Sequence, residues 1–444
     1  MHAVPLRNII ALLPSHAERS DDFTLLYCGD NTDASDPGVS PVTFKSVVIT
    51  SPPKILIDRF IPSGDSFWQS RHDQDKQKPS LHIVISTGSG TGLGNSVWKS
   101  LLKPLLQHVS ILQDKDYSLH ITTSPNSITE LISSIILPAA NKGHHQTVIL
   151  LSGDGGIIDT TNALLSAPHT PQYQRPTLSL LPLGTGNALA HSTKITADNT
   201  FGLSVLFRGR PAPLALFTAI FSPGSQLLTN EGQTPEPLPS DPAGSPTLHG
   251  AVVVSWGLHA SLVADSDTAA YRRYGAERFQ LAAKEALFPS DGSPPHAYRG
   301  KVSLLRKSAS AAEQAVWHPL ERQEHGYILA TFCSQLESGF TISPASRPLD
   351  GQLRVVHFGP LDGEAAMGIM GAAYQGGRHV SNERVGYEAV EGLRVEFEED
   401  EERWRRVCVD GKIVRVERDG WVEVRSGGGG GGVVDLVVLG GDRE

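Results

Sequence analysis

The chain has 444 residues, of which 39% are hydrophobic and 19% charged, so it has enough apolar residues for packed cores and global disorder is excluded. At roughly 100–200 residues per domain, its length predicts about two to three domains. A formal net charge of −9 argues against a nucleic-acid-binding protein, which usually presents a basic face.

Three cysteines, Cys28, Cys333 and Cys408, lie far apart in the sequence and form no CxxC pair. They predict neither a disulfide scaffold nor a cysteine zinc site, and they are typical of a reducing compartment. The first apolar patch, Ile9 to Leu13, is too short for a membrane span and is followed by Pro14. We therefore expect a soluble, cytoplasmic protein.

Residues 1–78 are predicted to be an irregular N-terminal extension with short strands at Val42–Thr50 and Lys54–Ile61. From residue 79 to 215, a repeated pattern of apolar strand, glycine turn and helix predicts an α/β domain. The repeats are LHIVIS before TGSGTGLGN, TVILLSGDGG before IIDTTNALL, and LSLLPLGTGN before ALAHS. Such units build a parallel sheet, so the three glycine turns are expected together at its carboxyl edge.

Residues 216–444 form the β-rich half of the predicted fold. A Pro-, Gly- and Ser-rich stretch at about 222–249 is predicted as a loop insertion. Short β-like runs separated by tight turns then predict an antiparallel, sandwich-like domain. The tract Gly427–Gly432 predicts a flexible hinge before a last strand, VVDLVVLG. The fold class is therefore an α/β domain followed by a β domain.

The glycine turns indicate a nucleotide site. A glycine turn at a helix N-terminus exposes backbone N–H groups that suit phosphate oxygens, although a single such turn can simply be a tight connection. Gly88–Asn95 is neither a Walker A loop nor a GxGxxG motif, because Leu93 and Asn95 replace the third glycine. Kinase HRD and DFG, GxSxG and HExxH motifs are absent from the sequence. His144 and His145 are predicted to be solvated rather than metal ligands.

Two segments, SGDGGIIDTTNAL at 152–164 and LPLGTGNALA at 181–190, resemble the catalytic module shared by diacylglycerol, sphingosine and ceramide kinases. Four further segments follow in the order seen in sphingosine kinases: WGLHASLVADSDTAAYRRYGAERF, YRGKVSLL, GGRH and CVDGKIV. The resemblance spans residues 80–425. It implies a lipid kinase that transfers the γ-phosphoryl group of ATP, with Mg²⁺, to the primary hydroxyl of a sphingoid long-chain base.

The resemblance also implies a role for each matching residue. Asp154 would accept the proton of the lipid hydroxyl, since a carboxylate beside phosphate-binding amides can orient a hydroxyl for attack; helix capping is the alternative. Arginines at 272 and 278 would stabilise the transferring phosphoryl group, and a solvated helix face is their alternative. The ligands of the Mg²⁺ ion are not identified from the sequence. The implied ATP-binding residues are Ser86, Thr87, Gly88, Gly90, Gly92, Thr123, Ser152, Gly153, Gly155, Gly184, Thr185, Gly186, Asn187, Arg272, Arg278 and Gly411.

In sphingosine kinases an aspartate after the WG turn holds the amine of the sphingoid base. Counting back from Tyr271 gives Asp265, which we prefer, whereas counting forward from Gly257 gives Ser261 or Val263. If no aspartate meets an amine, a neutral lipid such as diacylglycerol or ceramide is the alternative acceptor. The predicted substrate-binding residues are Asp265, Asp267, Ser261 and Phe279.

Some positions depart from the family pattern. Lys412 stands where the family has glutamate, and Ser86 and Thr87 replace an Asn-Pro pair. These departures favour an alternative in which the chain binds nucleotide or lipid without turnover. A soluble nucleotide kinase related to the NAD kinases is a third hypothesis, against which the long β-rich half argues. We expect a lipid substrate, peripheral membrane contact and no nucleic-acid partner; the oligomeric state is not predicted.

Overall fold

The chain divides into two units, Met1–Leu214 together with Gly431–Glu444, and Ala215–Gly430. The computed structural model describes residues 3–15, 21–32, 38–64, 66, 68, 80–88, 90–274, 277–307, 314–427 and 432–440, with only the backbone of Ala269 and Arg272. Most of the glycine hinge predicted at 427–432 lies outside these residues.

The N-terminal residues form a three-stranded antiparallel sheet of β1 Ile9–Pro14, β2 Asp22–Asp30 and β3 Val42–Thr50, preceded by a 3₁₀ turn at Leu6–Asn8. The strand predicted at Val42–Thr50 is confirmed. The strand predicted at Lys54–Ile61 is wrong, because Lys54–Phe60 is a helix, α1. Phe60 and the partly buried Ile57, three residues apart, pack against the core of this sheet, as a helical spacing allows.

The α/β part of the first unit contains strands β4 Ser80–Ile85, β5 Ser118–Ile121, β6 Gln146–Ser152, β7 Thr177–Pro182 and β8 Arg210–Pro213. Strand β6 is buried along its whole length, as expected for a central strand with both faces covered. The helices are α2 (Gly94–Val97, Trp98–Leu102, Lys103–His108), α3 (Ser127–Leu131, Ile132–Ile136, Leu137–Asn141), α4 Asp154–Leu165, α5 Ala188–Ser192 and α6 Leu203–Arg208.

Both α2 and α3 contain a π-helical turn, at Trp98–Leu102 and Ile132–Ile136 respectively. In each helix a proline, Pro104 or Pro138, comes two residues after this turn. Proline has no N–H to donate, and the wider turn accommodates the interrupted hydrogen-bond ladder without ending the helix.

The second unit is antiparallel and β-rich. An eight-stranded sheet has the order β11-β10-β24-β23-β13-β17-β20-β21, and a seven-stranded sheet, the order β12-β9-β25-β22-β14-β15 with β16 beside β14; a short hairpin pairs β18 with β19. The strands are β9 Phe217–Phe221, β10 Gln226–Thr229, β11 Thr234–Pro237, β12 Thr247–Gly250, β13 Val253–Gly257, β14 Tyr298–Arg306, β15 Val316–Pro319, β16 Glu324–His325, β17 Tyr327–Thr331, β18 Gln335–Glu337, β19 Phe340–Thr341, β20 Arg354–Phe358, β21 Val385–Ala389, β22 Gly392–Phe397, β23 Arg406–Val409, β24 Lys412–Arg415 and β25 Trp421–Ser426.

The two sheets of this unit meet through aromatic side chains. Trp256 of β13 is buried and contacts Phe397 of β22 and Tyr298 of β14 edge-on, with ring centroids 5.2 and 5.8 Å apart. The sandwich-like antiparallel domain is thereby confirmed. The helical segments of the unit are α7 Leu258–Ser266, α8 Ala269–Arg272, α9 Arg278–Leu287, α10 Gly363–Ala373, and the 3₁₀ turns Arg378–Ser381 and Glu402–Arg405.

Two segments differ from the sequence-based expectation. The stretch predicted as a loop insertion at 222–249 contains strands β10, β11 and most of β12. The last strand, β26 Asp435–Val438, does not join the β-rich unit, where residues 216–444 were placed. It pairs parallel with β7 and antiparallel with β8, giving the first unit a six-stranded sheet in the order β5-β4-β6-β7-β26-β8. This sheet is mostly parallel, and its edge strand β8 is antiparallel.

Candidate functional site

Three glycine loops begin side by side at the carboxyl edge of the first unit's sheet. In the register, Ile85 of β4 lies opposite Leu151 of β6, and Ser152 lies opposite Pro182 of β7. Each loop is tied to its neighbour strand: the Ser86 N–H donates to Leu151 O at 3.0 Å, and the Leu183 N–H donates to Ser152 O at 2.9 Å. The loops that follow therefore start at the same level.

The second and third glycine loops touch through their backbones. A Cβ atom built on Gly184 would lie 2.7 Å from the Gly153 Cα, and one built on Gly153 would lie 2.7 Å from the Gly184 Cα. A Cβ on Gly90 of the first loop would overlap Thr185. Glycine is therefore required at these positions by close packing of the loops.

Asn187 fixes the third loop. Its Oδ1 accepts from the Gly184 N–H at 2.8 Å, and its Nδ2 donates to Gly184 O at 2.8 Å. The residue has a φ of 55°, a left-handed conformation that asparagine tolerates better than most residues. Helix α5 begins directly after it, so the N–H groups of this helix point towards the second loop.

Asp154 joins two loops. It is the first residue of α4, and its carboxylate accepts from the N–H groups of Ala188 at 2.7 Å and Leu189 at 3.2 Å, which open α5. Burial raises the pKa of Asp154 to about 6, although the two backbone hydrogen bonds oppose this shift. Asp154 thus caps the neighbouring helix rather than its own, and it remains a carboxylate of raised basicity among the glycine loops.

The other predicted residues of this unit lie around the same edge. The Thr87 N–H donates to Thr122 Oγ1 at 2.9 Å, and the Thr123 N–H donates to Ser127 Oγ at 3.1 Å. Ser152 is buried. A Cβ on Gly88, Gly92 or Gly155 would meet nothing within 4 Å, so space remains open above these positions. Gly186 is half-buried.

The sequence alone did not identify Thr91 as part of the loop cluster. Its hydroxyl donates to Leu183 O at 2.7 Å and its N–H donates to the same oxygen at 3.2 Å, tying the first loop to the third. The backbone amides of Ala188 and Leu189 were also missed. Their position directly after the GTGN loop at a helix start was the available signal.

In the second unit, Asp265 is fully engaged by arginines. Its carboxylate lies 3.0 Å from Arg403 Nη2 and 2.8 Å from Arg406 Nη2. Ser261, one turn earlier on α7, is buried and accepts a hydrogen bond from the Tyr298 hydroxyl at 2.7 Å. Two candidates for the lipid head group therefore lie on one helix, each with a partner from another element of its own unit.

Arg278 at the start of α9 pairs with Asp267, with 3.6 Å between Nη1 and Oδ1. Its guanidinium also lies over the ring of Phe279, 4.8 Å from the centroid. The side chain of Arg272 is outside the described residues.

Gly411 sits in the turn between β23 and β24, with a φ of 87°. The preceding Asp410 is buried, and its carboxylate accepts from the N–H groups of Ala251, Val252 and Val253 at 2.6–3.2 Å. Asp410 therefore anchors the start of β13, a structural role that the sequence did not reveal. Lys412 follows the turn and is half-buried.

Within the described ranges, no group of three or more His, Cys, Asp or Glu side chains is arranged to hold a metal ion. No helix in the described part of the chain has the length and apolar character needed to cross a bilayer.

Residues 80–219 match the diacylglycerol kinase catalytic domain. The chain is 23% identical to human sphingosine kinase 2 over 253 residues, covering 55% of this chain and 33% of that protein. It is 25% identical to human sphingosine kinase 1 over 225 residues, covering 50% and 51%. The chain thus spans a third to about half of the length of these relatives.

A crystal structure of a Bacillus anthracis str. Sterne protein assigned as a diacylglycerol kinase has a TM-score of 0.52 and 14% identity. The match covers 82% of this chain and 97% of that one, and it shows that the two share a fold.

Proposed function

This chain belongs to the diacylglycerol kinase catalytic-domain superfamily, close to its sphingosine kinases, and we propose that it transfers the γ-phosphoryl group of ATP to a hydroxyl group of a lipid. The observation that supports this most is the position of Asp154, a carboxylate of raised pKa held where three glycine loops converge.

In this proposal the ATP phosphates lie against the glycine loops. Gly155 and Gly88 leave open space, and the first turn of α4 offers backbone N–H groups that suit phosphate oxygens. Gly184, Gly186 and Thr185 would line the other side, since their loop packs against Gly153. Roles for Arg272, Arg278 and Gly411 towards the nucleotide stay predictions.

Asp154 is proposed to be the general base. With a pKa near 6 it is ionised at neutral pH and still basic enough to take a proton from a hydroxyl as phosphoryl transfer proceeds. Each carboxylate oxygen accepts a single backbone hydrogen bond, so lone pairs remain for the lipid hydroxyl. The weaker bond, from the Leu189 N–H at 3.2 Å, leaves Oδ1 as the better proton acceptor.

Magnesium is expected to arrive with the nucleotide. Mg²⁺ keeps several waters and is held largely by the phosphate oxygens of the nucleotide, so it does not require a dedicated carboxylate cage, and the described residues contain no cluster of three or more His, Cys, Asp or Glu side chains that would form one. When bound, the ion would neutralise charge developing on the phosphates.

The acceptor is proposed to be a sphingoid base, on the similarity to sphingosine kinases. One observation favours diacylglycerol or ceramide as a second candidate. An amine would have to displace two guanidinium groups from Asp265 to reach its carboxylate, and a neutral lipid head group would not.

The test is transfer of labelled γ-phosphate from MgATP into sphinganine, phytosphingosine, ceramide and diacylglycerol in detergent micelles, beside Asp154→Asn. Label in a lipid, lost in the variant, would support the proposal and name the acceptor. ATP binding with no labelled lipid would favour the non-catalytic alternative and make Lys412→Glu the next protein to test. A parallel assay offers NAD as the acceptor, and label in NAD would favour the nucleotide kinase.

A further inference from the structure

One buried hydroxyl of the second unit lacks a partner. Tyr327, at the start of β17, is 2% exposed, and no group of the described residues hydrogen-bonds to its Oη. A buried tyrosine hydroxyl normally has a partner, because leaving it unpaired forfeits the hydrogen bond that it made to water. Among the described residues the Tyr327 hydroxyl therefore keeps the capacity for one further hydrogen-bond partner.

The strand register places Tyr327 beneath helix α7. Tyr327 lies opposite Gly257, and Ser255 lies opposite Cys408, so the side chains of Tyr327, Ser255 and Cys408 share one face of the eight-stranded sheet. Helix α7 covers this face, packing Ala260 and Ala264 against Cys408. It is the same helix that carries Ser261 and Asp265.

A second polar side chain, His259, lies beside the ring of Tyr327. The His259 ring stands edge-on to the Tyr327 ring with 6.2 Å between centroids, and its Nδ1 is 2.7 Å from Ser255 Oγ. Around these groups the helix presents small apolar side chains, which suit an alkyl chain. The contact between α7 and the sheet therefore combines small apolar side chains with a few placed polar atoms, the two kinds of group that line ligand sites.

We propose that the Tyr327 hydroxyl donates a hydrogen bond to an oxygen atom of the acceptor lipid, a hydroxyl or a carbonyl, and so makes Tyr327 a specificity-determining residue of the lipid site. This inference rests on the proposed function. Because the hydroxyl is enclosed, the lipid reaches it when α7 shifts from the sheet. Gly257, which precedes the helix with a φ of 90°, gives the backbone that freedom.

The experiment compares Tyr327→Phe with Tyr298→Phe in the Asp154→Asn background, which prevents turnover. Binding is measured by titrating each protein with sphinganine and dioctanoylglycerol in micelles, and with octadecylamine, which has no oxygen. Tyr327→Phe is expected to weaken binding of an oxygen-bearing lipid about five- to tenfold, with octadecylamine binding and melting temperature unchanged. Tyr298→Phe, which deprives Ser261 of its donor, should lower the melting temperature.

Equal affinity of Tyr327→Phe and its parent for every lipid that the parent binds would overturn the inference while leaving the proposed function standing. An equal loss for octadecylamine would also overturn it, since the effect would then be one of packing. Failure of wild-type protein to bind or label any lipid would overturn both.

Discussion

The charge on Asp154 should cost the folded protein stability, and Asp154→Asn tests this. A pKa raised from 3.8 to about 6 means that the ionised carboxylate destabilises the fold by about 3 kcal/mol at neutral pH. The protonated carboxyl of Asp154 carries no such penalty. Its stabilising contribution is therefore complete below pH 3.8, the pKa in the unfolded chain, and is lost as the pH rises through about 6, the pKa in the folded protein. Between pH 8 and 4.5 the wild type should therefore gain about 2 kcal/mol relative to the variant.

The variant also loses a hydrogen bond, because an asparagine amide offers one acceptor oxygen to the two N–H groups of Ala188 and Leu189. This loss counts only against the ionised carboxylate, because a protonated Asp154 also has one good acceptor oxygen. The test is therefore the pH dependence: relative to the wild type, the variant should lose about 2 kcal/mol of stability between pH 8 and pH 4.5.

Urea unfolding at several pH values, followed by tryptophan fluorescence, is the assay. Thr160→Val is the matched control, since it removes the bond from Thr160 Oγ1 to Gly156 O in the same helix without changing charge. The difference between the unfolding free energies of Thr160→Val and the wild type should stay constant with pH. A constant offset for Asp154→Asn as well would refute the reasoning that burial raises the pKa of this carboxyl.

Gly184→Ala should weaken ATP binding at least tenfold, because its Cβ would force the second and third loops apart, whereas Gly368→Ala in α10, whose Cβ meets nothing within 4 Å and which is not part of the proposed nucleotide site, should bind ATP as well as the wild type; calorimetry showing equal affinities would contradict the loop packing. Asp410→Asn should lower the free energy of unfolding by about 2–4 kcal/mol, because three backbone N–H groups share its carboxylate; a change under about 0.5 kcal/mol in urea unfolding would contradict the anchor. Burial lowers the pKa of His325 and of His357 to about 4, so stability should be lost as the pH falls from about 6.5 towards 4, by up to about 1.4 kcal/mol per pH unit for each. His325→Gln should remove roughly half of this loss of stability, as measured by urea unfolding at several pH values. A loss of stability equal to that of the wild type would contradict the prediction.

Local patterns predicted the α/β fold and its glycine loops because each strand–glycine–helix unit is visible within about 30 residues. The segment at Lys54–Ile61 was mistaken for a strand because eight residues are too few to separate a period of two from one of 3.6.

Long-range contacts could not be predicted in the same way. Asp265 was proposed to hold an amine, but the arginines that engage it lie about 140 positions further along the chain, and no local pattern links them. The cap that Asp154 gives to α5 likewise joins residues 34 positions apart. Sequence motifs identified the residues of the candidate site, and only the tertiary structure shows what else they hold.

The return of β26 to the first sheet bears on how the protein is made. Strand β8 joins that sheet through β26 alone, and β7 has β26 as its outer neighbour. A ribosome must therefore deliver residue 438 before the sheet can close, and until then β7 presents an unpaired edge to other nascent chains. A fragment that stops at residue 219, where the catalytic-domain match ends, would keep that edge permanently open. Expression of such a fragment should give aggregates, whereas co-expression with a peptide covering residues 432–440 should restore soluble protein.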